Sequence, residues 1–122
     1  MSWDKSWEKL YKNRGWGEYP NEELIKFIAR NFYNNNREKI KILELGCGIG
    51  SNLWYLAREK FQVYGIDGSK TAVLKSIQKL DKEVPNWKGK IRVGDIINLQ
   101  YPNGYFDAVV DLEAITHNSF TD

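Results

Sequence analysis

The chain has 122 residues, 42% of them hydrophobic and 28% charged, which is typical of one soluble globular domain. Its net charge of +2 is spread along the chain without a basic block, so a nucleic acid partner is not expected. A single cysteine excludes an internal disulfide and a multi-cysteine zinc site. With no signal peptide and no apolar run of about 18 residues, we expect a cytoplasmic protein without a membrane segment.

Two helical patterns come first in the chain. Residues 3–12 place aromatic and apolar side chains three and four positions apart, and residues 13–20 form a loop with two glycines and a proline. A second helix is predicted after Asn21, whose side chain can cap the first turn, and two glutamates follow where the helix dipole favours negative charge. The apolar face of this helix consists of Leu24, Phe27, Ile28 and Phe32.

Beyond residue 38, predicted strands and helices alternate. The segments "KIKILELG", "FQVYGID", "KIRVGDI" and "FDAVVDLEA" predict four strands. The segment "SNLWYLAREK" predicts a helix with Ser51 as a possible N-cap. A further helix, "SKTAVLKSIQKLDKEV", has an apolar stripe and is followed by Pro85. This order is typical of an open, largely parallel α/β sheet.

The loop after the first strand, "GCGIGS", is the expected ligand site, because ligands of such sheets bind at the carboxyl ends of the strands. Glycines at 46, 48 and 50 would let the backbone come close to a ligand. A dinucleotide-binding loop reads G-x-G-x-x-G, whereas Ser51 stands at the position of its third glycine. A tight turn that binds nothing is the alternative interpretation.

Three acidic residues accompany this loop. Glu44 lies two residues before the first glycine, Asp67 ends the second predicted strand, and Asp95 ends the third. A carboxylate at the position of Asp67 could accept both hydroxyls of a ribose, or it could cap the helix that follows. Asp95 could equally be a simple strand end.

These motifs resemble those of the class I S-adenosylmethionine-dependent methyltransferases. The segments "ILELGCGIGSN", "VYGIDGS", "IRVGDIINLQYP" and "YFDAVVDLEAITHN" occur in that family's order and spacing, over roughly residues 38–119. The stretch "WEKLYKNRGWGEYP" is similar to the leader of members that act on small molecules. The resemblance implies a single Rossmann-like α/β domain over residues 1–122, with a leader or lid at 1–20 and a cofactor-binding core at 21–122.

The resemblance also implies roles for individual residues. Glu44 would fix the loop and the amino group of the cofactor, Asp67 would hold the ribose hydroxyls, and Asp95 would meet the adenine edge. The implied cofactor-binding residues are Glu44, Gly46, Cys47, Gly48, Gly50, Asn52, Asp67, Gly68, Ser69, Asp95, Ile96, Glu113, Trp16 and Tyr19.

Residues for catalysis are harder to identify in the sequence. Glu113 would lie near the transferable methyl group, and His117 could accept a proton or be a solvated loop histidine. Trp16 and Tyr19 could close over the ligand or serve only in packing. Cys47 fits a small buried residue better than a nucleophile. No metal site is predicted.

The family fold has seven strands in the order 3-2-1-4-5-7-6, whereas this chain accounts for about four parallel strands, order 3-2-1-4, with helices on both faces. We therefore expect a truncated domain whose edge strand, Asp107–Leu112, pairs in a homodimer. The expected function is methyl transfer from S-adenosylmethionine to a small-molecule acceptor, with S-adenosylhomocysteine as the product. The alternatives are a non-catalytic module that binds either compound and a fragment of an NAD-dependent oxidoreductase.

Overall fold

The computed structural model describes residues 19–95, 101–102 and 104–111, which form a parallel four-stranded sheet and its helices. The strands lie in the order β3-β2-β1-β4, as predicted. The elements, in chain order, are α1 (Glu22–Phe32), a 3-10 turn (Arg37–Lys39), β1 (Lys41–Leu45), α2 (Ser51–Arg58), β2 (Gln62–Asp67), α3 (Lys70–Glu83), β3 (Gly89–Val93) and β4 (Ala108–Asp111). None of the helices in these ranges has the length and apolar character needed to cross a membrane.

Helix starts agree with the sequence prediction at α1 and differ at α2. The Asn21 side-chain oxygen accepts hydrogen bonds from the N–H groups of Glu23 and Leu24, at 2.8 and 3.2 Å, and so caps α1 as predicted. The prediction that Ser51 caps α2 is wrong, because Gly50 is the N-cap and Ser51 is the first helical residue. Gly50 has a φ of +92°, which glycine adopts without the strain that serine would incur.

The start of α3 also differs from one of the predicted alternatives. Ser69 is the N-cap, and its hydroxyl accepts a hydrogen bond from the N–H of Ala72 at 3.1 Å. The alternative in which Asp67 caps this helix is therefore wrong. The Asp67 carboxylate is available for other contacts at the end of β2.

The helices pack against one face of the sheet. Ile42 of β1, Val63 of β2 and Val110 of β4 belong to a buried cluster that also contains residues of all three helices, such as Leu24 and Leu56. This arrangement follows from the apolar stripes of the helices, which are buried only when they face the sheet. The prediction placed helices on both faces of the sheet; within the described residues, the three helices cover this face.

The opposite face of the sheet is covered differently in the described part of the chain. Its buried cluster consists of Leu43, Leu45, Ile66 and Val109 and contains no residue of α1, α2 or α3. Aromatic residues pack there instead, with ring centroids 4.7–6.2 Å apart. These rings belong to Tyr64, Tyr101, Tyr105 and Phe106.

Candidate functional site

The glycine loop lies at the carboxyl ends of β1 and β2. The N–H groups of Gly46 and Cys47 both donate to the carbonyl oxygen of Ile66 on β2, at 2.8 and 3.2 Å. The N–H of Gly50 donates to the carbonyl oxygen of Cys47 at 3.1 Å and closes the turn before α2. These backbone hydrogen bonds therefore hold the loop against the carboxyl end of β2, next to Asp67.

Asp67 braces the loop through its carboxylate. One oxygen accepts the N–H of Gly48 at 3.0 Å, and the other accepts the N–H of Ser69 at 2.8 Å. Each carboxylate oxygen has about two acceptor positions, so Asp67 can still accept hydroxyl groups of a ligand. The sequence predicted the ligand role, but it gave no sign that Asp67 also positions Gly48.

The glycines of the loop and of the turn after β2 divide into two kinds by what a side chain at each would meet. A Cβ atom at Gly48 or Gly68 would meet no atom within 4 Å, so these residues face open space. A Cβ atom at Gly50 would lie 2.9 Å from the hydroxyl oxygen of Ser76, closer than real Cβ contacts. Gly48 and Gly68 can therefore approach a ligand, whereas Gly50 allows α3 to pack against the loop.

Ser76 is a residue of the site that sequence reasoning missed. It is fully buried on α3, and its hydroxyl donates to the carbonyl oxygen of Gly48 at 2.7 Å. The available signal was its position three residues after Val73 and four before Leu80, both of which are buried. A polar side chain on such a stripe needs an internal hydrogen-bond partner, and the glycine loop provides one.

Glu44 is a fully buried carboxyl group at the centre of the site. One of its oxygens accepts a hydrogen bond from the side-chain amide of Asn52 at 2.7 Å, and the other has no partner in the described ranges. Burial raises the pKa of Glu44 to about 8; the Asn52 hydrogen bond lowers it, and the charges of Asp111 and Asp67 raise it. The group is therefore mostly protonated near pH 7. Because Asn52 donates to one oxygen, the proton lies on the other, which accepts a hydrogen bond from a cationic ligand once the group ionises.

Asn52 is predicted as a cofactor contact, and its side chain is engaged within the protein. Its amide nitrogen donates to Glu44, and its oxygen accepts the backbone N–H of Asn21 at 2.7 Å. Asn52 is 4% exposed. The link to Asn21, which lies 31 residues away in the chain, could not be inferred from the sequence pattern.

Cys47 is buried in the loop, in agreement with the prediction of a small core residue. Burial and the nearby charge of Glu44 raise the pKa of its thiol to about 12. A Cβ atom at Gly65 of β2 would lie 3.2 Å from the Cys47 sulfur, which shows how closely β2 passes beneath it. A thiol with this pKa forms little thiolate at neutral pH and is a poor nucleophile.

The other predicted site residues lie at the periphery of the site or outside the described ranges. The prediction that Asp95 ends β3 is wrong by two residues, since the strand ends at Val93 and Asp95 is exposed beyond it. The N–H of Gly94 donates to the carbonyl oxygen of Asp67 at 3.0 Å and brings this segment beside the loop. Tyr19 is half-buried. Trp16, Ile96, Glu113 and His117 lie outside the described residues.

Two further features bear on what the site can hold. Within residues 19–95, 101–102 and 104–111, no three His, Cys, Asp or Glu side chains are arranged to hold a metal ion. A pocket of about 240 Å³, lined by Phe61, Trp87 and Lys88 among others, lies at the amino ends of β2 and β3. It is therefore at the opposite end of the sheet from the glycine loop.

Comparison with known proteins places these features in a family. A family model described as a methyltransferase domain matches residues 42–122. The norajmaline N-methyltransferase of Rauvolfia serpentina is 32% identical over an alignment of 103 positions, which covers 79% of this chain and 33% of that protein. The chain thus spans about a third of the length of this curated relative.

Solved structures share the fold. PKMT2 from Rickettsia typhi, in complex with AdoHcy, is 30% identical, with a TM-score of 0.56 over 77% of this chain and 19% of that one. The magnesium protoporphyrin IX methyltransferase of Synechocystis PCC 6803, with bound SAH, is 24% identical, with a TM-score of 0.62 over 74% of this chain and 40% of that one. Both likenesses extend over about three quarters of this chain.

Proposed function

We propose that this chain, which belongs to the methyltransferase domain family, binds S-adenosylmethionine at the glycine loop and transfers its methyl group to a small-molecule acceptor. The observation that carries the proposal is the buried Glu44, whose second oxygen has no partner in the described ranges, with Asp67 and Asp111 near it. S-adenosylmethionine carries a sulfonium and an ammonium group, and carboxylates stabilise such charges. It has no phosphate, which agrees with a loop that has no lysine or arginine between residues 46 and 50.

The described residues have the chemistry to hold this cofactor. Once ionised by the nearby cation, Glu44 would accept a hydrogen bond from the ammonium group through its free oxygen, and Asp67 would accept the ribose hydroxyls. The open faces of Gly48 and Gly68 would admit the cofactor close to the backbone. When bound, the cofactor supplies an electrophilic methyl group on a good leaving group, so the protein mainly orients the acceptor.

Calorimetry tests the cofactor assignment directly. We expect S-adenosylmethionine and S-adenosylhomocysteine to bind with micromolar dissociation constants and NAD not to bind. Asp67→Ala should weaken binding at least about tenfold, because it removes a ligand contact and the brace on Gly48. Glu38→Ala, at an exposed carboxyl group on the 3-10 turn, is the matched control and should bind as the unaltered protein does. Binding of NAD alone would favour the oxidoreductase alternative, and binding of none of the three would refute the proposal.

Turnover needs a separate measurement. Methyl-labelled S-adenosylmethionine incubated with a panel of amines, phenols and thiols should transfer label to at least one class. If the cofactor binds and no class is labelled, the non-catalytic binding module is the better interpretation. The N-methyltransferase among the relatives makes amines the first class to test.

We also propose that β4 pairs with the same strand of a second copy. Within the described sheet, β4 pairs only with β1, although Val109 and Val110 on its two faces are buried. A strand that is buried on both faces is suited to the interior of a sheet, where both of its edges are paired. Light scattering at micromolar concentration should give the mass of a dimer, and a stable monomer would refute this pairing.

A cytoplasmic location is a further proposal, which rests on the single cysteine and on the lack of a signal peptide pattern in the sequence. Fractionation of cells that express the natural gene tests it. Recovery in the membrane or secreted fraction would contradict it.

A further inference from the structure

Two sets of hydrogen bonds, connected through the covalent structure of Asn21, join the buried carboxyl group of the site to the start of α1. The path begins at Glu44, which accepts the side-chain N–H of Asn52 at 2.7 Å. The oxygen of the same amide accepts the backbone N–H of Asn21 at 2.7 Å. The Asn21 side chain in turn accepts the N–H groups of Glu23 and Leu24 at the first turn of the helix.

The chemistry of the path requires an amide at its centre. Asn52 presents a donor to the carboxyl group and an acceptor to the backbone N–H, and the two partners fix which end points where. A carboxylate in its place would have no donor for Glu44, and a hydroxyl could not reach both partners. Since Asn52 is only 4% exposed, water competes little for these bonds.

We propose that Asn52 is a positioning residue that couples ligand binding at Glu44 to the start of α1, and thereby to the chain that enters the helix at Tyr19 and Pro20. This inference rests on the proposed cofactor site. When a cationic ligand ionises Glu44, the Asn52–Glu44 hydrogen bond becomes charge-assisted and stronger. A polarised amide is a better acceptor, so the bond to the Asn21 N–H strengthens as well.

The surroundings of Glu44 explain why an outside charge is needed. The described groups whose charges act on it are Asp111 at the end of β4 and Asp67 at the end of β2, and both disfavour its ionisation. The Cys47 thiol, in the loop between β1 and α2, is also close enough to interact with it. A ligand cation would oppose both burial and these two charges and favour ionisation of this carboxyl group, and the hydrogen-bond path would transmit that change to α1.

The coupling is reciprocal by thermodynamic linkage, so it can be measured from either end. Amide hydrogen exchange of Asn21, Glu23 and Leu24 is measured by NMR with and without saturating S-adenosylhomocysteine, whose ammonium group supplies the charge. In the unaltered protein, exchange at these amides should slow at least about fivefold on binding, the lower end of typical coupling between sites. In Asn52→Ala, measured at a concentration of S-adenosylhomocysteine that calorimetry shows to saturate the variant, the slowing should be lost.

A matched control is available on the same helix. Asn31 is exposed on α1, where its side chain donates to the carbonyl oxygen of Phe27 at 2.8 Å, outside the path. Asn31→Ala should keep the slowing at the start of the helix. Equal slowing in the ligand-bound unaltered protein and in Asn52→Ala would overturn the inference.

A second measurement needs neither a ligand nor an Asn52 variant. In the ligand-free protein, the chemical shift of the Asn21 amide proton should change with pH at the same midpoint as the chemical shift of the Glu44 carboxyl carbon. Glu44→Gln should abolish this pH dependence. An Asn21 signal that stays constant while Glu44 titrates would overturn the inference, even if the variants fail to fold. If S-adenosylhomocysteine does not bind the unaltered protein, the cofactor proposal fails, and this titration still decides whether the path couples Glu44 to Asn21.

Discussion

Glu44 gives the most direct prediction, because its ionisation links the site to the stability of the fold. Burial raises its pKa from an ordinary 4.5 to about 8 in the folded protein. The folded state therefore holds a proton that the unfolded state has lost at every pH between these two values. Stability must fall as pH rises through this window, because the unfolded state binds fewer protons than the folded state. The contribution of protonated Glu44 is fully present below about pH 4.5 and is lost by about pH 8.

The size of this change in unfolding free energy follows from the difference between the two pKa values. At about 1.4 kcal/mol for each pH unit of the window, the free energy of unfolding should fall by roughly 3–4 kcal/mol between pH 5 and pH 8. Solvent screening does not reduce this free energy, since the carboxyl group is fully buried. Glu44→Gln cannot ionise, and its side-chain oxygen can still accept the Asn52 hydrogen bond. The variant should therefore lose this pH dependence and be more stable than the unaltered protein at pH 8.

Urea unfolding followed by tryptophan fluorescence at several pH values between 5 and 8 provides the assay. The measured quantity is the difference in unfolding free energy between Glu44→Gln and the unaltered protein at each pH, so that other titrating groups cancel. The control is Glu38→Gln at an exposed carboxyl group, for which this difference should stay constant within about 0.5 kcal/mol. A constant difference for Glu44→Gln as well would show that the buried carboxyl group does not stay protonated, and would refute the reasoning.

Three further predictions concern the glycine loop and the adjoining turn after β2. Gly50→Ala should lower the free energy of unfolding by roughly 1–3 kcal/mol, measured by urea unfolding, because the new Cβ meets Ser76 and the φ of +92° becomes strained. Gly68→Ala should have the same free energy of unfolding as the unaltered protein, because its Cβ meets open space. It should weaken the binding of S-adenosylhomocysteine measured by calorimetry, and unchanged affinity would contradict the ligand role of this face. Cys47 should resist iodoacetamide at pH 8 in the folded protein and react after unfolding, as followed by mass spectrometry; rapid labelling of the folded protein would contradict its burial and raised pKa.

Much of the fold could be predicted from the sequence because its signals are local. The change from a helical period to short apolar runs marks the strands, and Asn21 marks the start of α1 as a polar residue before an apolar stripe. The strand order needed more than periodicity, since the order of parallel strands depends on crossovers that no single segment encodes. It came from the resemblance, and the structure confirms it.

The site could be predicted only in part, for a physical reason. Glu44 and Asp67 follow from the ends of strands, but the contacts that position them cross between distant elements. Ser76 reaches the loop from α3, and Asn52 reaches back to Asn21 at the start of α1. Such contacts depend on how the helices pack against the sheet, and one sequence does not specify that packing. The error at Ser51 has the same origin, because the left-handed conformation of Gly50 shifted the helix start by one residue.

At pH values near and above its pKa, the buried Glu44 lowers the stability of the ligand-free protein. The site beside the glycine loop therefore does not serve stability alone. An ionised carboxyl group that is buried without a counter-charge costs several kcal/mol, and the folded protein avoids this cost by keeping the group protonated. A neutral isostere should therefore stabilise the ligand-free protein at pH 8 while weakening its hold on a cation. The positive charge of the proposed ligand, placed at the free oxygen, should offset the free energy that this carboxyl group costs the ligand-free protein. A variant that is both more stable and poorer at binding the cofactor would show that the two effects come from the same atom.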